Sequence, residues 1–299
     1  MNFDAIIIGG SYAGLSAALQ LARARRKVLV MDSGQRRNRF AAHSHGFLGQ
    51  DGRAPGDIAA DARAQLLAYP TVQWVDATAT AGKGQADEFT VSAGNGAQYE
   101  ARRIILAAGV VDALPDVPGL AERWGKHVFH CPYCHGYELD QGRIGVLASS
   151  EMSMHHALML PDWGSTTLFL NGAFMPDADQ MAQLKQRGVT VERIPVAQFS
   201  GAALDVELTD GRIIPLDGIF TLTRTSPASP LGVQLGCAME DGPMGPFLQT
   251  DMFKETTVPG VFACGDMARA TGSVALAVGD GAMAGVGAHR SLMFGAGHG

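Results

Sequence analysis

The chain has 299 residues, 46% of them apolar and 17% charged, with a formal charge of -6 at pH 7. Such a length exceeds what one hydrophobic core holds, so two domains are expected, and the apolar content excludes a disordered chain. The acidic balance, with no Lys/Arg stripe beyond the solvated run Arg23 to Lys27, excludes a nucleic-acid partner, and no apolar run reaches membrane-spanning length.

Met1-Asn2-Phe3-Asp4 lacks a cationic leader and runs into a strand at Ala5–Ile8, so no signal peptide is expected and the cytoplasm is the expected location. Gly9-Gly10-Ser11-Tyr12-Ala13-Gly14 reads as a tight turn, residues 15–24 as a helix, and Lys27–Met31 as a second strand ending at Asp32. This is a βαβ opening. A buried-looking strand at 104–107 is followed by Leu114-Pro115-Asp116-Val117-Pro118-Gly119, which has linker composition. A second strand, turn, helix and strand occupy 143–148, 152–160 and 166–170. Thr225-Ser226-Pro227-Ala228-Ser229-Pro230 then marks a return crossing, followed by a strand at 261–263 and a small-residue helix from about Ser273 to Leu292. The expected fold class is α/β, with two Rossmann-like three-layer βαβ domains. The first is discontinuous, over 1–113 and 225–299, and the central one covers 114–224.

In a dinucleotide-binding turn, glycines permit the bend and let backbone approach a pyrophosphate resting on the helix N-terminus. Gly9 and Gly14 hold the outer positions, Ser11 stands where the middle glycine usually lies, and Asp32 ends the second strand, where an acid accepts ribose hydroxyls. Cys131-Pro132-Tyr133-Cys134 brings two sulfurs within bonding range at a helix start, where the dipole favours thiolate. Redox chemistry is the leading reading. The alternatives are haem attachment through Cys131–Cys134–His135, zinc held by His130, Cys131, Cys134 and His135, and an inert pair; Cys237 and Cys264 are lone residues. No metal site is expected.

Together, Gly9–Gly14, Leu106-Ala107-Ala108-Gly109, the Cys131–Cys134 pair and residues 257–266 (TVPGVFACGD) resemble the low-molecular-weight thioredoxin reductase family of flavoproteins, over nearly the whole chain. The wording Cys-Pro-Tyr-Cys-His-Gly-Tyr-Glu, with Arg36-Arg37-Asn38-Arg39, is closer to the branch of that family containing dithiol oxidases. The resemblance implies FAD as cofactor. It places the cofactor on Gly9, Ser11, Tyr12, Ala13, Gly14 and Asp32, with Arg37, Asn38, Ala108 and Gly109 beside it. It further implies Asp266 on the ribitol, backbone at Val274 and Ala275 near the flavin pyrimidine, and His45 in a loop that nears the flavin. Cys134 would face the flavin and Cys131 exchange with substrate. Relatives are dimers, so a homodimer is expected.

The chain departs from the reductases in three places. Its second turn, Ala148-Ser149-Ser150-Glu151-Met152-Ser153, has no glycine where backbone should approach a pyrophosphate. Asn171-Gly172-Ala173 stands where a cationic cluster would grip the 2′-phosphate of NADPH. His135 replaces an acid after the cysteine pair, and an imidazole titrating near neutrality suits removal of a thiol proton. The expectation is therefore an NADPH-independent dithiol oxidase acting on a small-molecule dithiol. The alternatives are an NADPH-dependent reductase of a disulfide or thioredoxin-like protein, and a flavin-binding redox sensor without turnover. Asp280 is a candidate partner of His135 or a plain exposed acid, and His155 and His156 are expected at the surface or in an interface.

Overall fold

The apolar run Ala5-Ile6-Ile7-Ile8 closes strand β1 (Asn2–Ile8), because β-branched residues suit an extended chain and unbroken apolarity suits a strand covered on both faces. The chain turns into helix α1 (Tyr12–Arg23) and returns as β2 (Val28–Asp32), parallel to β1 with Ile7 opposite Val30. Strands β3 (Val72–Asp76), β4 (Ala79–Lys83), β5 (Phe89–Ala93) and β6 (Gln98–Leu106) complete a sheet of order β3-β2-β1-β6-β5-β4. The long β6 is shared. Gln98–Ala101 pair antiparallel with β5, whereas Ile104–Leu106 pair in parallel with Val261–Ala263, which delivers the distant C-terminal segment to the sheet centre.

Successive residues of β1 serve opposite cores. Ile7 joins Leu21, Val30 and Ala284 on the face covered by α1 and the C-terminal helix Val274–Phe294, while Ile6 and Ile8 join Leu29, Phe89 and Leu231 on the other. The two helices touch backbone to backbone: a Cβ at Gly281 would fall 2.0 Å from the Ala13 carbonyl oxygen, and one at Gly285 would fall 2.5 Å from that of Ala17. Small residues four apart are thus a packing requirement of that helix.

The computed structural model describes Asn2–Gly297 and contains two compact units. The elements above form the first, comprising the chain up to Arg39, Pro55–Asp112 and the chain from Thr225. The second comprises Phe40–Ala54 and Ala113–Arg224. Its parallel sheet runs in the order Thr190–Glu192, Gly164–Phe169, Gln141–Leu147, Gly218–Thr221, Val128–Phe129, and three antiparallel strands (Val196–Ser200, Leu204–Leu208, Ile213–Leu216) form a separate sheet. The expected second βαβ appears as Gln141–Leu147, helix Ser153–Met159 and Gly164–Phe169. The α/β class with a βαβ core in each unit is what the chain adopts.

The expected boundaries miss one excursion. Phe40–Ala54, assigned by sequence to the first domain, belongs with the second unit, where Phe40 lies so close to Gly125 that a Cβ there would approach its own Cβ to 2.7 Å. Contacts between residues so far apart in sequence leave no local trace.

Candidate active site

Gly9 has φ +104, and a Cβ there would fall 2.4 Å from the Ala107 carbonyl oxygen, so the turn after β1 admits only glycine. Ser11 is extended (φ -94, ψ -164), which explains why serine is tolerated at the middle position; it N-caps α1 without a side-chain bond. The first intrahelical bond runs from Leu15 N–H to the Ser11 carbonyl at 2.8 Å, so the amides of Ser11, Tyr12, Ala13 and Gly14 have no acceptor within the helix. Asp32 accepts a hydrogen bond from the Gly10 amide at 3.0 Å, and Trp74, missed by sequence reasoning, closes over Gly10. The Tyr12 hydroxyl donates to the Pro55 carbonyl at 3.1 Å and accepts from Asn38 Nδ2 at 3.1 Å. Burial raises its pKa, against the opposing effects of Asn38 and Arg36.

The second helix start faces the same place. A Cβ at Gly265 would lie 2.9 Å from Ala13 Cβ and 3.8 Å from Ala277 Cβ, so the Cys264–Gly265–Asp266 bend joins the beginnings of α1 and of the C-terminal helix. Ser273, its N-cap, accepts from the Leu276 amide at 3.2 Å, leaving the Val274 and Ala275 amides without an intrahelical acceptor. Beside this bend the Ala108 amide donates to Met267 Sδ at 3.2 Å. Gly109 has φ +75 and nothing within 4 Å of where its Cβ would be.

Arg37 holds two acids. Its guanidinium donates through Nε (2.8 Å) and Nη2 (2.7 Å) to Asp112 and through Nη1 to Asp266 at 2.8 Å. Burial opposes the charge, but the two carboxylates outweigh it and raise the Arg37 pKa. Arg37 therefore positions Asp266. Asp112 escaped sequence reasoning because its partner is a distant residue and its own surroundings carry no motif. Asp280 is no exposed acid: it is 6% exposed, and Lys254 Nζ and Arg269 Nη1 each reach its Oδ1 at 2.9 Å. It sits in the first unit and ties the C-terminal helix to two loops.

In the second unit Cys131 and Cys134 form a disulfide, with Cα atoms 5.3 Å apart. The expected helix start is only the single turn Pro132–His135, with Cys131 as N-cap, so its dipole is a fraction of a full helix's. Tyr133, between the cysteines, is exposed and meets Trp163 edge-on. His135 stacks on Phe129 with centroids 4.4 Å apart. It does not titrate near neutrality as expected: burial, and then the neighbouring His45, depress its pKa to about 4. The ring is neutral at physiological pH, and the same burial makes it a weak base. His45, expected beside the flavin, has its Nδ1 3.3 Å from Glu138 Oε1 and 3.7 Å from Asp51 Oδ1 within this unit. Among the described residues, no group of three or more His, Cys, Asp or Glu is arranged to hold a metal ion.

The second βαβ turn is closed on itself. The Ser149 amide donates to Ser153 Oγ at 3.1 Å, and Ser149 Oγ donates to the Leu222 carbonyl at 3.1 Å. Asn171 spends its side-chain oxygen on the Val196 amide at 2.9 Å. His155 is exposed as expected, but His156 is 4% exposed because its helix turns that side toward Phe220, and burial depresses its pKa to about 4.

Comparison with known proteins decides the family: the pyridine nucleotide-disulphide oxidoreductases match residues 3–281. The chain belongs to that family. A protein named thioredoxin reductase tcpT from Claviceps purpurea is 34% identical over 97% of this chain and 94% of its own length. Among solved structures, an oxidoreductase from Agrobacterium tumefaciens is 60% identical, with a TM-score of 0.96 over 98% of this chain and 99% of its own. HlmI is 36% identical, with a TM-score of 0.91 over 98% and 93%. Thioredoxin reductase-like oxidoreductases of this family are FAD-binding flavoproteins, and the first unit fits that group. It joins two helix N-termini whose first amides are unspent, with Asn38 Oδ1 and Arg36 Nε as buried polar atoms lacking a hydrogen-bond partner near Tyr12. The chain is thus a flavin-dependent disulfide oxidoreductase.

Proposed function

We propose that this protein oxidises a small-molecule dithiol at the Cys131–Cys134 disulfide and does so without NADPH. The observation that carries the proposal is the second βαβ turn, whose amide and hydroxyl at Ser149 are bonded inside the unit and whose positions 148 and 150 carry side chains. A pyrophosphate needs free amides and bare backbone there. Asn171-Gly172-Ala173 adds no cation for a 2′-phosphate, removing charged hydrogen bonds of about 1.5–3 kcal/mol each.

Cys131 is the sulfur assigned to substrate exchange and Cys134 its resolving partner. The neutral His135 imidazole, next in sequence to Cys134, holds the proton of an attacking thiol only in passing and hands it to the displaced cysteine; that thiol must become thiolate before it can displace a cysteine. FAD, when bound, supplies the two-electron acceptor that regenerates the disulfide. We assign its binding to the amides at Ser11, Tyr12, Ala13 and Gly14 for the pyrophosphate, Asp32 for ribose, Asp266 for ribitol and the Val274 and Ala275 amides for the ring. Arg37 enters this set through Asp266.

A second reading, reduction of a thioredoxin-like protein, is favoured by the name thioredoxin reductase that curated relatives carry. An anaerobic titration of the yellow protein separates the two. Millimolar NADPH is expected to leave the flavin absorbance unchanged, and dithiothreitol to bleach it; bleaching by NADPH would sink the dithiol-driven reading.

A further inference from the structure

Oxidising a dithiol at this disulfide moves two protons off substrate sulfur and onto the cysteine pair, so each substrate thiol needs a base before it attacks and each displaced cysteine needs a proton afterwards. The inference that follows rests on the reading that a dithiol meets Cys131–Cys134. In that reaction one substrate sulfur bonds to Cys131 Sγ as the Cys131–Cys134 bond breaks. The second substrate sulfur then displaces Cys131. The dithiol leaves as a disulfide, two electrons stay on the cysteine pair, and the two substrate protons end on the displaced Cys134 and Cys131 sulfurs.

A second imidazole stands within the same unit. The loop carrying His45 is closed by its own bonds: Ser44 N–H to the Arg53 carbonyl (2.8 Å), Gly52 N–H to the Ser44 carbonyl (2.9 Å) and Gly46 N–H to Asp51 Oδ1 (2.8 Å). It lies against the cysteine turn, since a Cβ at Gly46 would be 4.0 Å from the carbonyl oxygen of Tyr133, the residue between the sulfurs and next to Cys134. His45 is also near enough to His135 to oppose its protonation. Its side chain is 19% exposed, and Nδ1 faces Glu138 Oε1 at 3.3 Å. A carboxylate on Nδ1 fixes the tautomer with its proton there, presents Nε2 as the acceptor, and offsets the charge formed when Nε2 is protonated. Glu138 is carried by the short helix Tyr137–Leu139 that directly follows the cysteine turn, so one stretch bears both sulfurs, His135 and the acid.

We propose that His45, oriented by Glu138, is a second base at the cysteine turn, passing the proton of one substrate thiol to a displaced cysteine as His135 passes the other in its own step. The titratable groups around His45 are Asp51 at 3.7 Å and His43 at 6.3 Å between ring centroids on its own loop, with Glu138 and His135 on the cysteine segment. Glu138 is a positioning residue.

The test reads sulfur rather than flavin. Holoenzyme is mixed anaerobically with dithiothreitol, quenched in acid at set times and alkylated, and the reduction of Cys131–Cys134 is counted by mass across pH. His45→Gln is expected to slow reduction about 10²-fold near neutrality, the usual worth of a positioned base, and Glu138→Gln about 10-fold, with Glu138→Asp recovering part of the rate. Above roughly pH 9.5, where the probe's thiols ionise unaided, all variants are expected to converge on the wild-type rate. Variants that track wild type at every pH, or stay equally slow in alkali, would overturn the role of His45. A wild-type disulfide that dithiothreitol never reduces would instead remove the dithiol reading beneath it.

Discussion

Replacing Arg37 with leucine removes a cation shared by Asp112 and Asp266. Three charged hydrogen bonds of 2.7–2.8 Å disappear, and Asp112, its side chain 8% exposed, and Asp266, 21% exposed, lose the Arg37 charge. Removing one partner of such a buried ion pair costs about 3–5 kcal/mol, because the remaining charge stays desolvated. For a chain of this size that is roughly 6–10 °C of melting temperature. The loss carries a pH signature. A cation favours the charged carboxylates, so the folded variant binds protons more readily than folded wild type and recovers part of the lost stability as pH falls. Melting of Arg37→Leu and wild type, compared at pH 7.5 and pH 5, should therefore show a large gap that narrows in acid. Acid effects common to both proteins cancel in that difference. A gap below about 1 °C at pH 7.5, or one of equal size at pH 5, would refute the argument.

The histidines predict acid sensitivity of the opposite sign. His135 and His156 have folded-state values near 4 against an ordinary 6.5, so full stability holds above pH 6.5 and is lost as pH falls toward 4, on the order of 3 kcal/mol per ring. Urea midpoints measured from pH 7 to 4.5 should fall less steeply in His156→Leu than in wild type, and equal slopes would count against the buried neutral ring. Gly281→Ala should cost about 1–3 kcal/mol and weaken flavin retention, since its Cβ would fall 2.0 Å from the Ala13 carbonyl. Gly279→Ala, whose Cβ meets nothing within 4 Å, should stabilise the same helix by up to about 1 kcal/mol in the same denaturation assay. Cys237 and Cys264 are buried, and burial followed by Asp280 pushes the Cys264 thiol up to about 12. Iodoacetamide should therefore label neither in the native oxidised protein and both after denaturation.

Much of the molecule was legible before any coordinates, for a physical reason: its signals are local. Gly9 and Gly14 announce a bend that no side chain fits, and unbroken apolar runs at Ala5–Ile8 and 104–107 announce strands buried on both faces. Cys131 and Cys134, three positions apart, need only one turn of chain to meet. The missing glycines at 148 and 150 are likewise visible as letters, although only the Ser149 and Ser153 bonds reveal that the turn fills itself.

What escaped the sequence depends on pairings across long stretches of chain. Asp112 acquires meaning only through Arg37, and Glu138 only through His45, because a carboxylate's role is set by whichever cation or imidazole the fold brings to it. The excursion of Phe40–Ala54 into the second unit sets His45 beside Glu138 on the segment that carries the disulfide. Burial then reversed the expected chemistry of His135, which reads as a neutral-pH titrating group in the sequence and becomes a firmly neutral base once stacked on Phe129. Residue order determined the backbone path and the reactive pair; desolvation and long-range contact, which exist only in the folded chain, decided how protons and charges are held around them.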